Sequence, residues 1–218
     1  MLPPLEMGDH LDQPTFHARY LAMPEDVKAE LIGGRVYMPS PARAAHGKAQ
    51  VEVVGWLRDY KAATPGVVAL DNTTAILAED SEPQPDAALT IAPERGGQTR
   101  EEDGWVVGPP ELAVEVASSS EAYDLYEKRD DYERYDVREY VAVVLREPRV
   151  VWFIRRGERF EEWAPGEDGI LQSETFPGLW LDPAALLRLD TAAVRVALER
   201  GLASLEHETF VRRLSGAD

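Results

Sequence analysis

Glu115 stands inside the run Leu112-Ala-Val-Glu-Val-Ala117, with a valine on either side. A carboxylate buried without a partner in an apolar strand costs several kcal/mol or shifts its pKa until it is neutral. An acid in such a run therefore calls for a partner or a ligand. Asp86 follows Pro85 upstream, and Lys128 lies a short helical distance downstream. An aspartate, a glutamate and a lysine spread over two strands and a helix suit metal-assisted phosphodiester hydrolysis. Two carboxylates can hold a hard cation, Mg2+ (or Mn2+), that keeps several of its waters. Such a cation activates water and neutralises charge growing on phosphate, while a lysine orients the water or stabilises the phosphoryl oxygens. The same residues also read as plain structure, with Asp86 capping a turn after proline and Glu115 paired to Lys128. On residue types and spacing alone the two readings stand level.

Two further residues can join this set. Glu30 precedes the Gly33-Gly34 turn and His46 sits near the start of a helix. Taken alone, Glu30 reads as a solvent-facing strand residue and His46 as a polar residue of a first helical turn. His10, His17 and His207 show no metal-ligand spacing. Walker-type and Gly-x-Gly-x-x-Gly phosphate loops are absent, as is a Gly-x-Ser-x-Gly nucleophile elbow. Ser118-Ser-Ser-Glu121 matches a capping box. Trp152, Phe153 and Trp163 read as core or hairpin packing ahead of base stacking.

These residues need particular elements to position them. Strand periodicity puts Glu115 on one face with Ala113 and Ala117, two small neighbours that leave room for a ligand. Asp86 opens a strand running to Ile91. On a helix from Ser118 to about Tyr135, Asp124, Lys128, Tyr132 and Tyr135 share a stripe that can bring Lys128 over Glu115. Around this core the pattern predicts a short helix over 15–20 and two strands about Gly33-Gly34. A helix over 44–62 follows, then strands at 67–70 and 74–78 and a polar loop over 92–110. A meander of three strands spans 139–163. The last helix, Thr191 to about Leu214, carries Val194, Leu198, Leu202, Leu205 and Phe210 near one stripe. That stripe can pack on the core or on a second subunit equally well. The expected organisation is a flexible leader over 1–14, one domain over 15–190 and a C-terminal helix over 191–218.

The 218 residues are 44% hydrophobic, enough for a substantial core. The formal net charge is −17. Such acidity argues against broad, sequence-independent binding to duplex DNA and against an anionic membrane surface. A nuclease this acidic needs a metal, a local basic rim or a partner to bring phosphate in. With no cysteine there is no disulfide, thiolate catalysis or Cys-based zinc site. No visible secretory signal and no apolar span of membrane length complete the expectation of a cytoplasmic protein with no membrane partner.

The order of several segments resembles the Uma-type family of restriction-endonuclease-like proteins, which have the Asp…Glu-x-Lys nuclease fold. They are Ala29-Glu-Leu-Ile-Gly-Gly-Arg-Val, Ser40-Pro…His46, Gln84-Pro-Asp86 and Pro110-Glu-Leu-Ala-Val-Glu-Val-Ala-Ser118. Tyr123-Asp-Leu-Tyr-Glu-Lys128, Tyr132…Val137-Arg-Glu-Tyr140 and Phe176-Pro-Gly-Leu-Trp-Leu-Asp182 continue the series, and the similarity runs from about residue 15 to 190. The resemblance implies an α/β (α+β) fold, a mixed sheet flanked by helices, here with a C-terminal helical extension. It implies Glu30, Asp86 and Glu115 as acids of a metal site, Lys128 as the lysine, and more weakly a place for His46. Ala117 departs from the broader pattern, which has lysine two residues after the glutamate; Lys128 on the next helix fits a migrated lysine. The implied function is a Mg2+-dependent endonuclease-like phosphodiesterase acting on nucleic acid, with DNA expected. A non-catalytic binding or assembly module of the same fold, including a homodimer through the last helix, is one alternative. A hydrolase of a small nucleotide is another.

Overall fold

The structure is a computed structural model and describes residues 2–39, 41–117 and 123–216. In chain order the elements begin with α1 (Gln13–Tyr20), β1 (Glu30–Ile32), β2 (Arg35–Tyr37), α2 (Ala44–Ala63), β3 (Val67–Asp71), β4 (Ala75–Ile76) and β5 (Ala87–Ile91). Next come β6 (Arg100–Glu102), β7 (Trp105–Val107), β8 (Leu112–Ala117), a π-helical turn over Tyr123–Lys128, and α3 (Arg129–Arg134). The chain ends with β9 (Glu139–Val144), β10 (Arg149–Arg156), β11 (Arg159–Glu162), β12 (Leu171–Gln172), β13 (Trp180–Leu181), α4 (Pro183–Leu187), α5 (Thr191–Leu202) and α6 (Leu205–Ser215). No helix among the described residues is long and apolar enough to cross a membrane.

The main sheet runs β11-β10-β9-β8-β5-β3. Its central pair, β8 and β9, is parallel and every other pairing is antiparallel. All residues of β8 and β9 are buried, as expected of parallel strands covered on both faces. Alternation sorts their side chains into two cores. Leu112, Val114, Val116, Val141, Val143, Trp152 and Ile154 face α2, which contributes Val53, Trp56, Leu57 and Tyr60. Leu186, Val194, Leu198, Phe210 and Leu214 of the C-terminal helices join the same cluster. On the opposite face Ala113, Ala117, Tyr140, Ala142 and Phe153 pack with Tyr132 of α3. The β1–β2 hairpin and α1 close a third, small cluster around Phe16, Leu31 and Val36.

Several sequence expectations change. The leader lies against the hairpin: Leu5 is buried, Gly8 N donates to Val36 O at 2.8 Å, and Leu11 N donates to Gly34 O at 2.9 Å. The polar loop over 92–110 contains two strands, β6 and β7, with β7 pairing in parallel with β4. Its turn is Asp103-Gly104, with φ of 50° and 84°, the left-handed pair that a tight hairpin favours. The last helix is two helices. The break falls at Ala203, and Ser204 caps the second by accepting from His207 N at 3.2 Å. The Ser118–Glu121 capping box lies outside the described residues.

Candidate active site

β5 and β8 pair with Ala87 opposite Val114. One step further along this antiparallel ladder, Asp86 lies opposite Glu115, and directly opposed residues point to the same face. Asp86 Oδ2 accepts from the backbone N–H of Val116 at 2.7 Å. His46 Nε2 lies 3.2 Å from the same oxygen, and Gln50, one helical turn on, donates through Nε2 to Asp86 O at 3.3 Å. The start of α2 and the neighbouring strand thus hold the aspartate at the end of its own strand, with its side chain 16% exposed.

Glu115 is more deeply enclosed. Its Oε1 accepts from Lys128 Nζ at 2.9 Å and from Tyr132 OH at 2.8 Å. Lys128 Nζ is also 2.9 Å from Glu30 Oε1, and that oxygen accepts from Gln84 N at 2.7 Å. Glu30, Glu115 and Lys128 are all buried. The hairpin, β8 and the helical turn that follows it therefore meet at one ammonium. Burial, reinforced by the carboxylates of Glu115 and Glu30, holds the Tyr132 hydroxyl well above the ordinary phenol range, so it stays a donor. The lysine arrives on the π-helical turn, a wider turn than an α-helix allows. Its ammonium lies 5.5 Å from the centre of the Tyr123 ring, which in turn packs on Tyr37 at 4.2 Å. Burial and the Glu127 carboxylate, to which the Tyr37 hydroxyl donates, push that hydroxyl up to about 12.

Asp131 secures the helix to the hairpin. Its carboxylate accepts from Gly33 N at 3.1 Å and from Ser81 Oγ at 2.5 Å. Burial raises its pKa to about 6 despite both hydrogen bonds.

All four acid and lysine candidates read from the sequence come together here, and His46 joins through Asp86. One expectation is overturned: the room beside Ala113 and Ala117 is not a ligand pocket, because Tyr132 packs into it. The sequence spacing puts Tyr132 on the same helical stripe as Lys128, yet its contact with Glu115 depends on how closely that helix approaches the sheet. The Gln84 donor is a backbone amide and carries no side-chain signature. The tie between Asp131 and Gly33 spans 98 residues, and no local pattern marks it.

The donor chemistry fits a magnesium-like ion of the kind implied by the restriction-endonuclease-like fold. Among the described residues no group of three or more His, Cys, Asp or Glu is arranged to hold a metal. That argues against an all-protein cage. Mg2+, however, takes one or two carboxylates and completes its shell with water and substrate phosphate. Asp86 and Glu115, opposed across two strands, supply that number. Two carboxylates, Glu30 and Glu115, share the single ammonium of Lys128.

A mixed sheet flanked by helices, with an acid on each of two paired strands and a lysine from the following helix, defines a nuclease-like class of fold. The family model "Uma2: Putative restriction endonuclease" matches residues 15–184, and the chain belongs to that family. A crystal structure described as a "putative nuclease belonging to DUF820", from Anabaena variabilis, is similar with a TM-score of 0.63 at 17% identity. The similarity covers 79% of this chain and 97% of that one, and at this identity it speaks for the fold. No curated protein matches the chain.

Proposed function

We propose that this protein is a Mg2+-dependent phosphodiesterase that cleaves nucleic acid, DNA in particular, in the cytoplasm. The observation that carries this reading is the opposition of Asp86 and Glu115 across the β5–β8 ladder, with Lys128 held beside Glu115. Asp86 and Glu115 would hold the ion, which when bound supplies an activated water and charge neutralisation at phosphate. Glu30 assists by pairing with Lys128 alongside Glu115. Lys128 then orients the attacking water or stabilises a phosphoryl oxygen. Tyr132 orients Glu115, and the Val116 amide and His46 orient Asp86.

Plasmid and single-stranded DNA incubated with the wild type and Mg2+ or Mn2+ test the proposal. Asp86→Ala and Glu115→Gln should each lower cleavage about 100-fold or more, the scale of losing a group that stabilises transition-state charge. Cleavage unchanged in both variants would remove the site. A second reading, a non-catalytic binding module, draws on the enclosed Glu30–Lys128–Glu115 pairing, in which the lysine serves as a permanent counter-ion. Titration calorimetry showing no heat with Mg2+, together with no cleavage, would favour it.

A further inference from the structure

Two of the segments that build the candidate site are already joined through their backbones. Glu82 N donates to Leu31 O at 2.8 Å, Leu31 N donates to Glu82 O at 3.1 Å, and Gly34 N donates to Asp80 O at 2.6 Å. The Gln84 amide on Glu30 completes the join. The hairpin carrying Glu30 and the segment 80–86 that ends at Asp86 therefore form one unit. The helix that delivers Lys128 and Tyr132 stands outside it. Among the described residues no backbone–backbone hydrogen bond links 123–135 to either segment, so side chains must seat this helix.

The seating contacts beyond Glu30 and Glu115 are unequal. Arg134 and Asp80 lie 3.8 Å apart with both side chains exposed, a kind of pair that contributes about 0–1 kcal/mol. Tyr37 donates to Glu127 at the surface, and Tyr135 donates to Asp80 in a half-buried bond. Asp131 alone of these acids is buried, at 3% exposure. One of its oxygens accepts from Gly33 N in the hairpin turn, and the other accepts from Ser81 Oγ in the 80–86 segment. It lies three residues beyond Lys128 and directly before Tyr132, within a helical turn of both. Both of its hydrogen-bond partners are neutral, and burial raises its pKa to about 6. A buried polar group of this kind can set the register of packed elements while lowering stability.

The geometry points to Asp131 as a positioning residue for the candidate site, one that seats the helix on the hairpin and the 80–86 segment so that the Lys128 ammonium reaches Glu30 and Glu115 together. Its consequence for catalysis rests on the nuclease reading; the seating itself does not. Without this carboxylate the Gly33 amide and the Ser81 hydroxyl lose their buried acceptor, and the helix keeps only its outer contacts around the lysine.

The seat of Lys128 can be read without any substrate. The chain has four lysines, 28, 48, 61 and 128. Acylation with an N-hydroxysuccinimide ester, followed by mass spectrometry, compares the buried Lys128 with the exposed Lys48 and Lys61. In Asp131→Ala, Lys128 should label roughly tenfold faster relative to those two, the scale of stranding a buried donor. Asp131→Asn keeps an acceptor for Gly33 N and can donate to Ser81 Oγ, so it should label as the wild type does. Ser81→Ala, a milder variant that removes one bond, should fall between them, and thermal melting selects the variants that fold. With plasmid DNA and Mg2+, Asp131→Ala should lower kcat about tenfold with KM little changed, and Asp131→Asn should restore most of the loss. Wild-type protection of Lys128 in the folded Ala variants, or an Asn variant no better than Asp131→Ala, would overturn the inference. Lys128 freed in Asp131→Ala but no cleavage by the wild type would sink the nuclease reading and leave the seating standing. Cleavage by the wild type, with kcat unmoved and Lys128 still protected in Asp131→Ala, would do the reverse.

Discussion

Buried acids in this molecule are satisfied in two different ways. Glu111 accepts from the amides of Ile91 at 2.9 Å and Gln98 at 2.7 Å, and Glu139 accepts from the amides of Glu174 and Thr175 and from the Trp152 indole. Backbone donors tie loops in place and leave little for chemistry. Glu115 is instead met by the side chains of Lys128 and Tyr132, and Glu30 by that same lysine together with the Gln84 amide. Asp131 makes the cost of burial measurable. With its pKa raised from 3.8 to about 6, the native state holds a proton that the unfolded chain has released between those values. Its stabilising contribution is full below 3.8 and is lost as pH rises through about 6, a change of about 3 kcal/mol. Asparagine keeps an acceptor for Gly33 N and has no proton to lose. The stability difference between wild type and Asp131→Asn should therefore shift toward the variant from pH 4 to pH 8, as read by urea unfolding. A pH-independent difference would contradict this account.

At the scale of elements, legibility followed pattern strength. The helix over 44–63, the apolar strands β8 and β9 and the meander carry strong periodicity and were readable. Strands β6 and β7 were not, because their residues are exposed or half-buried and give no apolar alternation; the Asp103-Gly104 turn was the available signal. The break in the last helix at Ala203 is marked by Ser204, a good cap, but Val194, Leu198 and Phe210 alone suggest continuity. The packing of α5 rests on a close approach. A Cβ on Gly201 would lie 2.2 Å from Gly178 O and 2.7 Å from Trp180 Cγ, and a backbone oxygen cannot swing away. Gly201→Ala should destabilise the fold by about 1–3 kcal/mol. By contrast Gly55 in α2 meets nothing within 4 Å of its missing Cβ, so Gly55→Ala should stabilise by about 0.5–1 kcal/mol through helix propensity. Thermal melts of the two variants should move in opposite directions; movement in the same direction would discount the contact argument.

Across the whole molecule, two expectations drawn from composition resolve differently. The net charge of −17 is unevenly spread: residues 128–159, which begin at Lys128 of the candidate site, hold nine Lys and Arg against seven Asp and Glu. The apolar stripe of the C-terminal helices, which could have covered a second subunit, buries Val194, Leu198, Phe210 and Leu214 in the main core. His207 anchors the second helix, with Nε2 3.0 Å from Thr64 Oγ1 and Nδ1 3.0 Å from Leu202 O. Deleting residues 191–218 should therefore collapse the domain, seen as loss of cooperative unfolding by circular dichroism. A truncated chain that stays folded and merely loses a dimer would contradict this assignment.

The sequence by itself determined the fold class, the main strands and helices and the identity of the acids and lysine, because those depend on local periodicity and on the order of short motifs along the chain. Tertiary structure decided what the residues do to one another. Lys128 lies 2.9 Å from both Glu115 and Glu30, Tyr132 fills the space beside the alanines, and Asp131 reaches Gly33. Those contacts join residues 13 to 98 positions apart. Their geometry is set by how a helix seats on a sheet, and one of their donors, the Gly33 N–H, is a backbone amide of the kind every sequence supplies alike.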